Sequence, residues 1–221
     1  MSVTESTIQR YTLSDPDVRM MLEVRDGSAT AFEELMLRYQ DRVVNLLTHL
    51  VGNRDQAEDL AQDVFLRVYR ARERYVPGAK FSTWLFTITN NVASNARRSL
   101  ARRREVNVQP AASGSMAMHT LDEMAQEASG LMPARQLDRS EMREIVKAAI
   151  GQLNERQRMA VLLSKFEDMS YADIAEVMEM SPQAIKSLLS RARGNLKQIL
   201  EPYLARGQRP HDSNGGGPDD G

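Results

Sequence analysis

Basic side chains are concentrated in one segment of the sequence, residues 66–104, where they could bind a polyanion. The segment carries ten arginine and lysine residues against a single acid, Glu73, and therefore a net charge of +9. The whole chain has a net charge of only −1, because residues 1–65 sum to −6 and residues 105–221 to −4. A local excess of this size in a neutral chain is typical of a phosphate-binding face.

Much of this charge lies on one predicted helix, residues 81–104. Its apolar face is predicted to comprise Phe81, Leu85, Ile88 and Val92. The opposite face combines groups that suit base edges with groups that suit phosphates: Thr83, Thr87, Asn90, Asn91, Ser94, Arg97 and Arg98. Trp84 either forms a stacking platform for separated strands or belongs to the core. Positive charge is favourable at a helix C-terminus, and this effect would explain two of the arginines near the end of the helix but not all five.

A second polar surface is predicted at residues 171–193, which divide into two short helices joined by a tight connection at Glu179 and Met180. Ser181 is a typical N-cap, and Pro182 then takes the first helical position. The apolar side of the second helix is Ile185, Leu188 and Leu189, and its polar side is Gln183, Lys186, Ser187, Ser190, Arg191 and Arg193. The pattern predicts a helix-turn-helix whose second helix suits the major groove, with a plain α-hairpin as the alternative.

A third surface is predicted on the helix at residues 55–72. Its outer face shows an acid, an amide, a second acid and an exposed leucine: Asp59, Gln62, Asp63 and Leu66. An apolar side chain among acids indicates a protein-docking edge, although charged stripes usually face only water.

Signals for catalysis are weak. The chain has no cysteine, and His49, His119 and His211 lack the spacing of metal ligands. No glycine-rich phosphate loop or nucleophile-elbow motif is present. We therefore expect no enzymatic activity, no metal and no cofactor. The sequence shows neither a secretory signal nor an apolar run of membrane-spanning length, so we expect a cytoplasmic protein with no membrane contact of its own.

The elements that must position these surfaces are helical, since apolar residues recur at steps of three and four nearly throughout. We predict an all-α fold of two helical domains joined by a flexible linker, the second domain containing the helix-turn-helix. The expected boundaries are a flexible N-terminus at 1–13, a helical domain at 14–104, a linker at 105–138, a second helical domain at 139–204 and a disordered tail at 205–221.

Three separated motifs together resemble the extracytoplasmic-function (ECF) sigma factors of bacterial RNA polymerase. AEDLAQDVFLRVYR is similar to the core-binding helix of that family, and FSTWLFTITNN to its promoter-melting helix. LNERQRMAVLL followed by SYADIAEVMEMSPQAIKSLLSRAR is similar to its second domain. The resemblance covers about residues 15–200 and depends on the order and spacing of the motifs.

The resemblance implies a non-enzymatic factor that binds core polymerase, at the clamp helices of the largest subunit and at the flap, and directs it to promoters. It implies polymerase contacts at Asp59, Gln62, Asp63 and Leu66. It implies contacts with the melted −10 element at Lys80, Trp84, Asn90, Asn91, Arg97 and Arg98. It implies contacts with the −35 duplex at Ser181, Pro182, Gln183, Lys186, Ser187, Arg191 and Arg193. An anti-sigma factor is a further expected partner.

The sequence departs from the family at three positions. Glu179 stands where glycine is frequent, which predicts a looser or differently shaped turn. Leu188 stands where arginine is frequent, and Asn95 replaces a frequent aspartate. The competing interpretation is a stand-alone helix-turn-helix regulator, which would leave the acidic stripe and the basic helix at 81–104 without a role.

Overall fold

The structure is a computed structural model that describes residues 4–106 and 133–206. These residues form nine α-helices and one short 3-10 helix, Arg72–Arg74, and they contain no strand. The helices are α1 (Glu5–Ser14), α2 (Pro16–Arg25), α3 (Ala29–Val51), α4 (Arg54–Ala71), α5 (Phe81–Val106), α6 (Pro133–Gln152), α7 (Glu155–Lys165), α8 (Tyr171–Val177) and α9 (Pro182–Arg206). The all-α prediction is thereby confirmed.

Capping residues set the helix boundaries in the first half of the chain. The Asp15 carboxylate accepts a hydrogen bond from the Asp17 backbone N–H at 2.9 Å, directly before Pro16 begins α2. The Ser28 hydroxyl accepts from the Ala31 N–H at 3.2 Å, and the Asn53 side chain caps α4 in the same way. Gly52 ends α3 in the left-handed conformation, at φ 80°, which a residue with a Cβ adopts only under strain.

Helix α1 is an element that the sequence analysis does not anticipate, since it occupies most of the expected flexible N-terminus. None of its residues is buried, so α1 contributes no side chain to the core. The Arg19 guanidinium of α2 donates to the Thr12 and Leu13 carbonyl oxygens at 3.2 and 3.1 Å. These are among the last carbonyls of α1, which have no partner within the helix itself.

The chain divides into two compact units, each formed from two separate stretches of sequence. Unit 1 comprises the described residues within Met1–Met118 and Leu162–Ile185, and unit 2 those within His119–Val161 and Lys186–Gly221. The predicted linker and tail lie outside the described residues, except that α5 and α6 extend into the linker from its two ends and α9 continues to Arg206. The domain boundaries given above remain predictions.

The core of unit 1 surrounds α5, which contacts α3, α4 and α8. Phe81, Leu85 and Val92 are buried as predicted, whereas Ile88 is only partly buried. Phe86 and Thr83 are fully buried, although Thr83 was expected on the outer polar face. That expectation is wrong because it assigns α5 a single apolar face, whereas helices pack on several of its sides.

In unit 2 the turn after α6 is fixed by polar contacts. The Arg158 guanidinium donates to the Ile150 and Leu153 carbonyl oxygens at 3.2 and 3.0 Å, where α6 ends. Asn154 caps α7 by accepting from the Gln157 N–H at 3.0 Å. The Asn195 amide of α9 donates to the Gln157 side-chain oxygen at 3.1 Å and so ties α9 to α7.

Candidate nucleic-acid interface

The outer side of α4 carries the predicted docking residues. Asp59, Gln62 and Leu66 are exposed, Leu66 by 52%, and the Asp63 side chain is partly exposed. We call Asp59, Gln62, Asp63 and Leu66 the α4 surface. Because Ala57, Ala61, Val64 and Phe65 are buried on the other side of the helix, the α4 surface has no packing role of its own.

Two features of the α4 surface were not predicted from the sequence. The Arg67 guanidinium donates to the Asp63 carboxylate at 2.9 Å, so this acid is presented as half of an ion pair. Tyr69, one turn after Leu66, is 43% exposed, packs on the Phe32 ring at 5.1 Å and lies under the Arg72 guanidinium at 4.0 Å. Tyr69 follows Leu66 by three residues, and this helical spacing could have placed Tyr69 with the predicted docking residues.

Asp15 fixes the start of the basic helix α5. Besides capping α2, its carboxylate accepts a hydrogen bond from the Phe81 N–H at 2.9 Å. One side chain therefore satisfies the first backbone donors of two helices. Asp15 and Phe81 are 66 positions apart in the sequence, so no local sequence signal predicts this second contact.

Trp84 joins an aromatic cluster at the beginning of α5. Its ring meets Tyr75 edge-on at 4.8 Å and Phe81 at 6.0 Å, and both neighbours are buried. Trp84 itself is partly buried, so it contributes to the core and still reaches the surface. The Tyr75 hydroxyl is buried without a hydrogen-bond partner among the described residues, and burial together with the nearby Asp15 charge raises the pKa of Tyr75.

The second half of α5 carries the predicted DNA-binding amides and arginines. Asn91 and Arg98 are exposed, and Asn90 and Arg97 are partly buried. The Arg98 guanidinium donates to the Asn95 side-chain oxygen at 2.8 Å and to the Ser94 carbonyl at 3.3 Å. Asn95, where the family often has aspartate, therefore orients Arg98 without neutralising its charge.

Lys80, directly before α5, and two side chains of α5 contact α8, which belongs to the same unit. The Lys80 ammonium donates to the Asp173 carboxylate at 3.0 Å, and the Thr83 hydroxyl to its other oxygen at 3.4 Å. The Asn90 amide donates to the Val177 carbonyl at 3.3 Å. Burial alone would raise the pKa of Asp173, but hydrogen bonds from Ser170 and Lys80 and the Lys80 charge outweigh it and hold the pKa below its ordinary value.

The predicted helix-turn-helix connection is tight. Ser170 and Asp173 form a capping box at the start of α8. After α8 the Met180 N–H donates to the Ala175 carbonyl at 2.9 Å, and Glu179 lies at φ 53°, in the left-handed region. The expectation of a looser turn is therefore wrong, because Glu179 adopts the backbone conformation for which glycine is usually required.

Helix α9 begins at the predicted position, with the Ser181 hydroxyl accepting from the Ala184 N–H at 3.2 Å. All seven residues predicted to bind the −35 element are exposed: Ser181, Pro182, Gln183, Lys186, Ser187, Arg191 and Arg193. Leu188 is 6% exposed, so it belongs to the packed side of α9 and not to its polar side. The structure gives the placement of these residues, and their roles remain predictions.

Within residues 4–106 and 133–206, no three histidine or acidic side chains are grouped as metal ligands. No helix in these same ranges is long and apolar enough to cross a membrane.

Two family models match the chain in the regions just described. The model of sigma-70 region 2 matches residues 35–103, and that of sigma-70 region 4 matches residues 143–196. The first match contains the α4 surface and most of α5, and the second contains the helix-turn-helix. The fold and these matches define the class of protein as an RNA polymerase sigma factor.

Sequence identity to known proteins shows which group of sigma factors the chain belongs to. The chain is 31% identical to the RNA polymerase sigma-H factor of Pseudomonas aeruginosa over 195 residues, 86% of this chain and 96% of that protein. It is 30% identical to the ECF RNA polymerase sigma-E factor of Haemophilus influenzae over 191 residues, 85% and 97% of the two chains. The chain belongs to the ECF sigma factors.

A solved structure agrees with this assignment. The sigma factor RpoE of Bartonella quintana, in complex with the anti-sigma factor NepR, matches with a TM-score of 0.62 and 26% identity. The match covers 77% of this chain and 96% of that chain.

Proposed function

We propose that this ECF sigma factor binds core RNA polymerase through the α4 surface, melts the −10 element with α5 and reads the −35 element with α9. The observation that carries the proposal is the separation of charge among three helices. Acidic and apolar groups are exposed on α4, whereas basic and amide groups are exposed on α5 and α9. A stand-alone regulator needs only the last of these surfaces.

Helix α5 suits a strand that has left the duplex. Asn91 and Arg98 offer donors to base edges and phosphates, and the partly exposed Trp84 offers a ring edge at the other end of the helix. The +9 charge of residues 66–104 would supply most of the electrostatic affinity for DNA.

Helix α9 suits the major groove of intact duplex. Its first residues, with the Gln183 amide, would approach base edges, while Lys186, Arg191 and Arg193 would neutralise phosphates. Leu188 offers no phosphate contact, since its side chain packs on the buried side of α9.

The α4 surface would dock on the clamp helices of the largest polymerase subunit, with the second domain at the flap. The exposed Leu66 and the acids Asp59 and Asp63 provide the mixed apolar and charged character of a protein interface. An anti-sigma factor is a further partner that we infer, supported by the likeness to a sigma factor solved with NepR. The proposed role requires no catalytic residue, metal or cofactor, and it places the protein in the cytoplasm with the polymerase.

Run-off transcription with core RNA polymerase on genomic promoter fragments tests the proposal, in the presence and absence of this chain. Transcripts from particular fragments only in its presence are the expected result, and their aligned start points would define both promoter elements. Tight binding to promoter duplex by the chain alone, without any core-dependent transcript, would contradict the proposal and favour the stand-alone regulator.

We expect contacts with the −10 element to dominate the affinity, because the net charge is +9 around α5 but only +2 over residues 139–200. Arg97→Ala with Arg98→Ala should therefore impair open-complex formation more than Lys186→Ala does, measured by permanganate footprinting of the melted region. Intact melting in the double variant, with complete loss in Lys186→Ala, would show that this ranking is wrong.

A further inference from the structure

Arg98 is an exposed arginine of α5 that is held by neutral groups alone. Its Nη2 group donates to the Asn95 side-chain oxygen at 2.8 Å, and its Nε–H donates to the Ser94 backbone carbonyl at 3.3 Å. Among the residues that the structure describes, no carboxylate is paired with Arg98. The guanidinium is therefore held in place while it keeps its full positive charge.

These two hydrogen bonds use only one edge of the Arg98 guanidinium. The group is a planar fork of N–H donors, and its Nε–H and one Nη2 hydrogen lie side by side on the edge that faces Asn95 and Ser94. The other Nη2 hydrogen and both Nη1 hydrogens remain available to a ligand. A pair of parallel N–H groups of this kind is the arrangement that binds a phosphate through two oxygens.

The packing of unit 1 does not explain why residue 95 is asparagine. The Asn95 side chain is exposed, so it fills no space in the core. Asparagine is also among the weaker helix formers, because its side chain competes for backbone hydrogen bonds, and alanine would suit the interior of α5 better. The contact that the amide does make is with Arg98, three residues further along the same face of the helix.

We propose that Asn95 is a positioning residue for promoter binding: it holds one edge of Arg98 so that the opposite edge binds a phosphate of the −10 strand. This inference rests on the proposed function, since it requires that Arg98 contacts melted DNA. An arginine that is already oriented loses less side-chain entropy on binding, and one that is not neutralised displaces a counterion from the phosphate. Asn95 therefore strengthens binding to the −10 strand and keeps the salt dependence of that binding steep.

Two substitutions separate the orientation of Arg98 from its charge. The assay is fluorescence anisotropy with holoenzyme, assembled from core polymerase and the full chain, and a labelled single strand carrying the −10 element defined by run-off transcription. Asn95→Ala removes the acceptor and leaves the charge, so Kd should rise about threefold while its dependence on salt stays the same. Asn95→Asp keeps an acceptor but pairs Arg98 with a carboxylate. Affinity at low salt should then fall about tenfold, and the slope of log K against log salt should shrink by about 0.7, the value for one phosphate of a single strand.

Three controls separate positioning from a general effect on the helix. In an Arg98→Ala background, Asn95→Ala should cause no further loss of affinity, because Asn95 acts only through Arg98. Gln40→Glu makes the same change from amide to acid at an exposed position of α3, and it should leave both the affinity and the salt slope unchanged. Asn95→Ala should also raise the thermal midpoint of the free chain, so its weaker binding would not follow from lost stability.

Equal affinity for the wild type and Asn95→Ala, an unchanged salt slope in Asn95→Asp, or a further loss when Asn95→Ala is added to Arg98→Ala would each overturn the positioning role and leave the proposed function standing. Wild-type holoenzyme that neither binds the single strand nor starts transcription would instead overturn the proposed function and the positioning role together.

Discussion

The helix-turn-helix of this sigma factor contains backbone strain that one substitution should relieve. Glu179 lies at φ 53° between α8 and α9, and its side chain is exposed. The left-handed region brings the Cβ of an L-residue too close to its own backbone, whereas glycine has no Cβ. Glu179→Gly should therefore stabilise the turn without removing a packed side chain.

The expected gain is the difference between two opposing effects. Relief of the left-handed conformation contributes about 1–2 kcal/mol. The greater backbone freedom that glycine gives the unfolded chain costs about 0.5–1 kcal/mol. The free energy of unfolding should therefore rise by about 0.5–1 kcal/mol.

Urea unfolding of the full chain, followed by circular dichroism, measures this difference as a shift in the midpoint at an unchanged slope. Glu179→Ala is the matched control, because it removes the same charge and side chain but keeps a Cβ at the same φ. It should show no gain. A stabilised alanine variant, or a glycine variant equal to the wild type, would refute the strain argument and attribute the effect to the glutamate side chain.

Asp59→Arg with Asp63→Arg should weaken binding to core polymerase about tenfold or more, measured by fluorescence titration. The thermal midpoint should stay unchanged, because both side chains lie on the outside of α4. Retained affinity, or an equal loss of affinity in an Asp41→Arg control on α3, would contradict the docking role. Tyr75→Phe should raise the free energy of unfolding by about 1 kcal/mol, since it removes a buried hydroxyl that has no hydrogen-bond partner among the described residues. A lower free energy of unfolding in urea titration would show that the hydroxyl makes a hydrogen bond. Hydrogen bonds from Ser170 and Lys80, with the Lys80 charge, hold the pKa of Asp173 below its ordinary value despite burial. The ionised carboxylate therefore stabilises the chain above the ordinary carboxyl pKa, and this stabilisation is lost as the pH falls through the lowered one. The thermal midpoint of the wild type should therefore fall more steeply with acid than that of Asp173→Asn, and parallel curves would contradict this.

A local signal in the sequence predicted the start of α9. Ser181 before Pro182 combines a side-chain cap with a helix start, and this cap is formed in the structure. Such caps are predictable because both partners lie within four residues of each other. Helix α1 lacks such a cap, since the Thr4 side chain forms no capping hydrogen bond.

Long-range contacts could not be predicted, although they decide which polar groups are available. The second hydrogen bond of Asp15, to the Phe81 N–H, spans 66 residues, and that of Lys80 to Asp173 spans 93. Periodicity assigns a helix one buried face, but α5 packs on several sides and therefore buries Thr83 as well. The polar face of α5 was consequently predicted too broadly at its beginning.

The same long-range contacts change where the positive charge of residues 66–104 can act. Arg67 and Lys80 are each paired with a carboxylate, on Asp63 and Asp173, so part of their charge is neutralised within the protein. Arg98 is held instead by the neutral amide of Asn95 and keeps its full charge while its orientation is fixed. Charge that is oriented but not neutralised is what a phosphate contact requires. Under the proposed function, the second half of α5 is therefore better prepared to meet DNA than its beginning, where Lys80 is paired with Asp173 of α8.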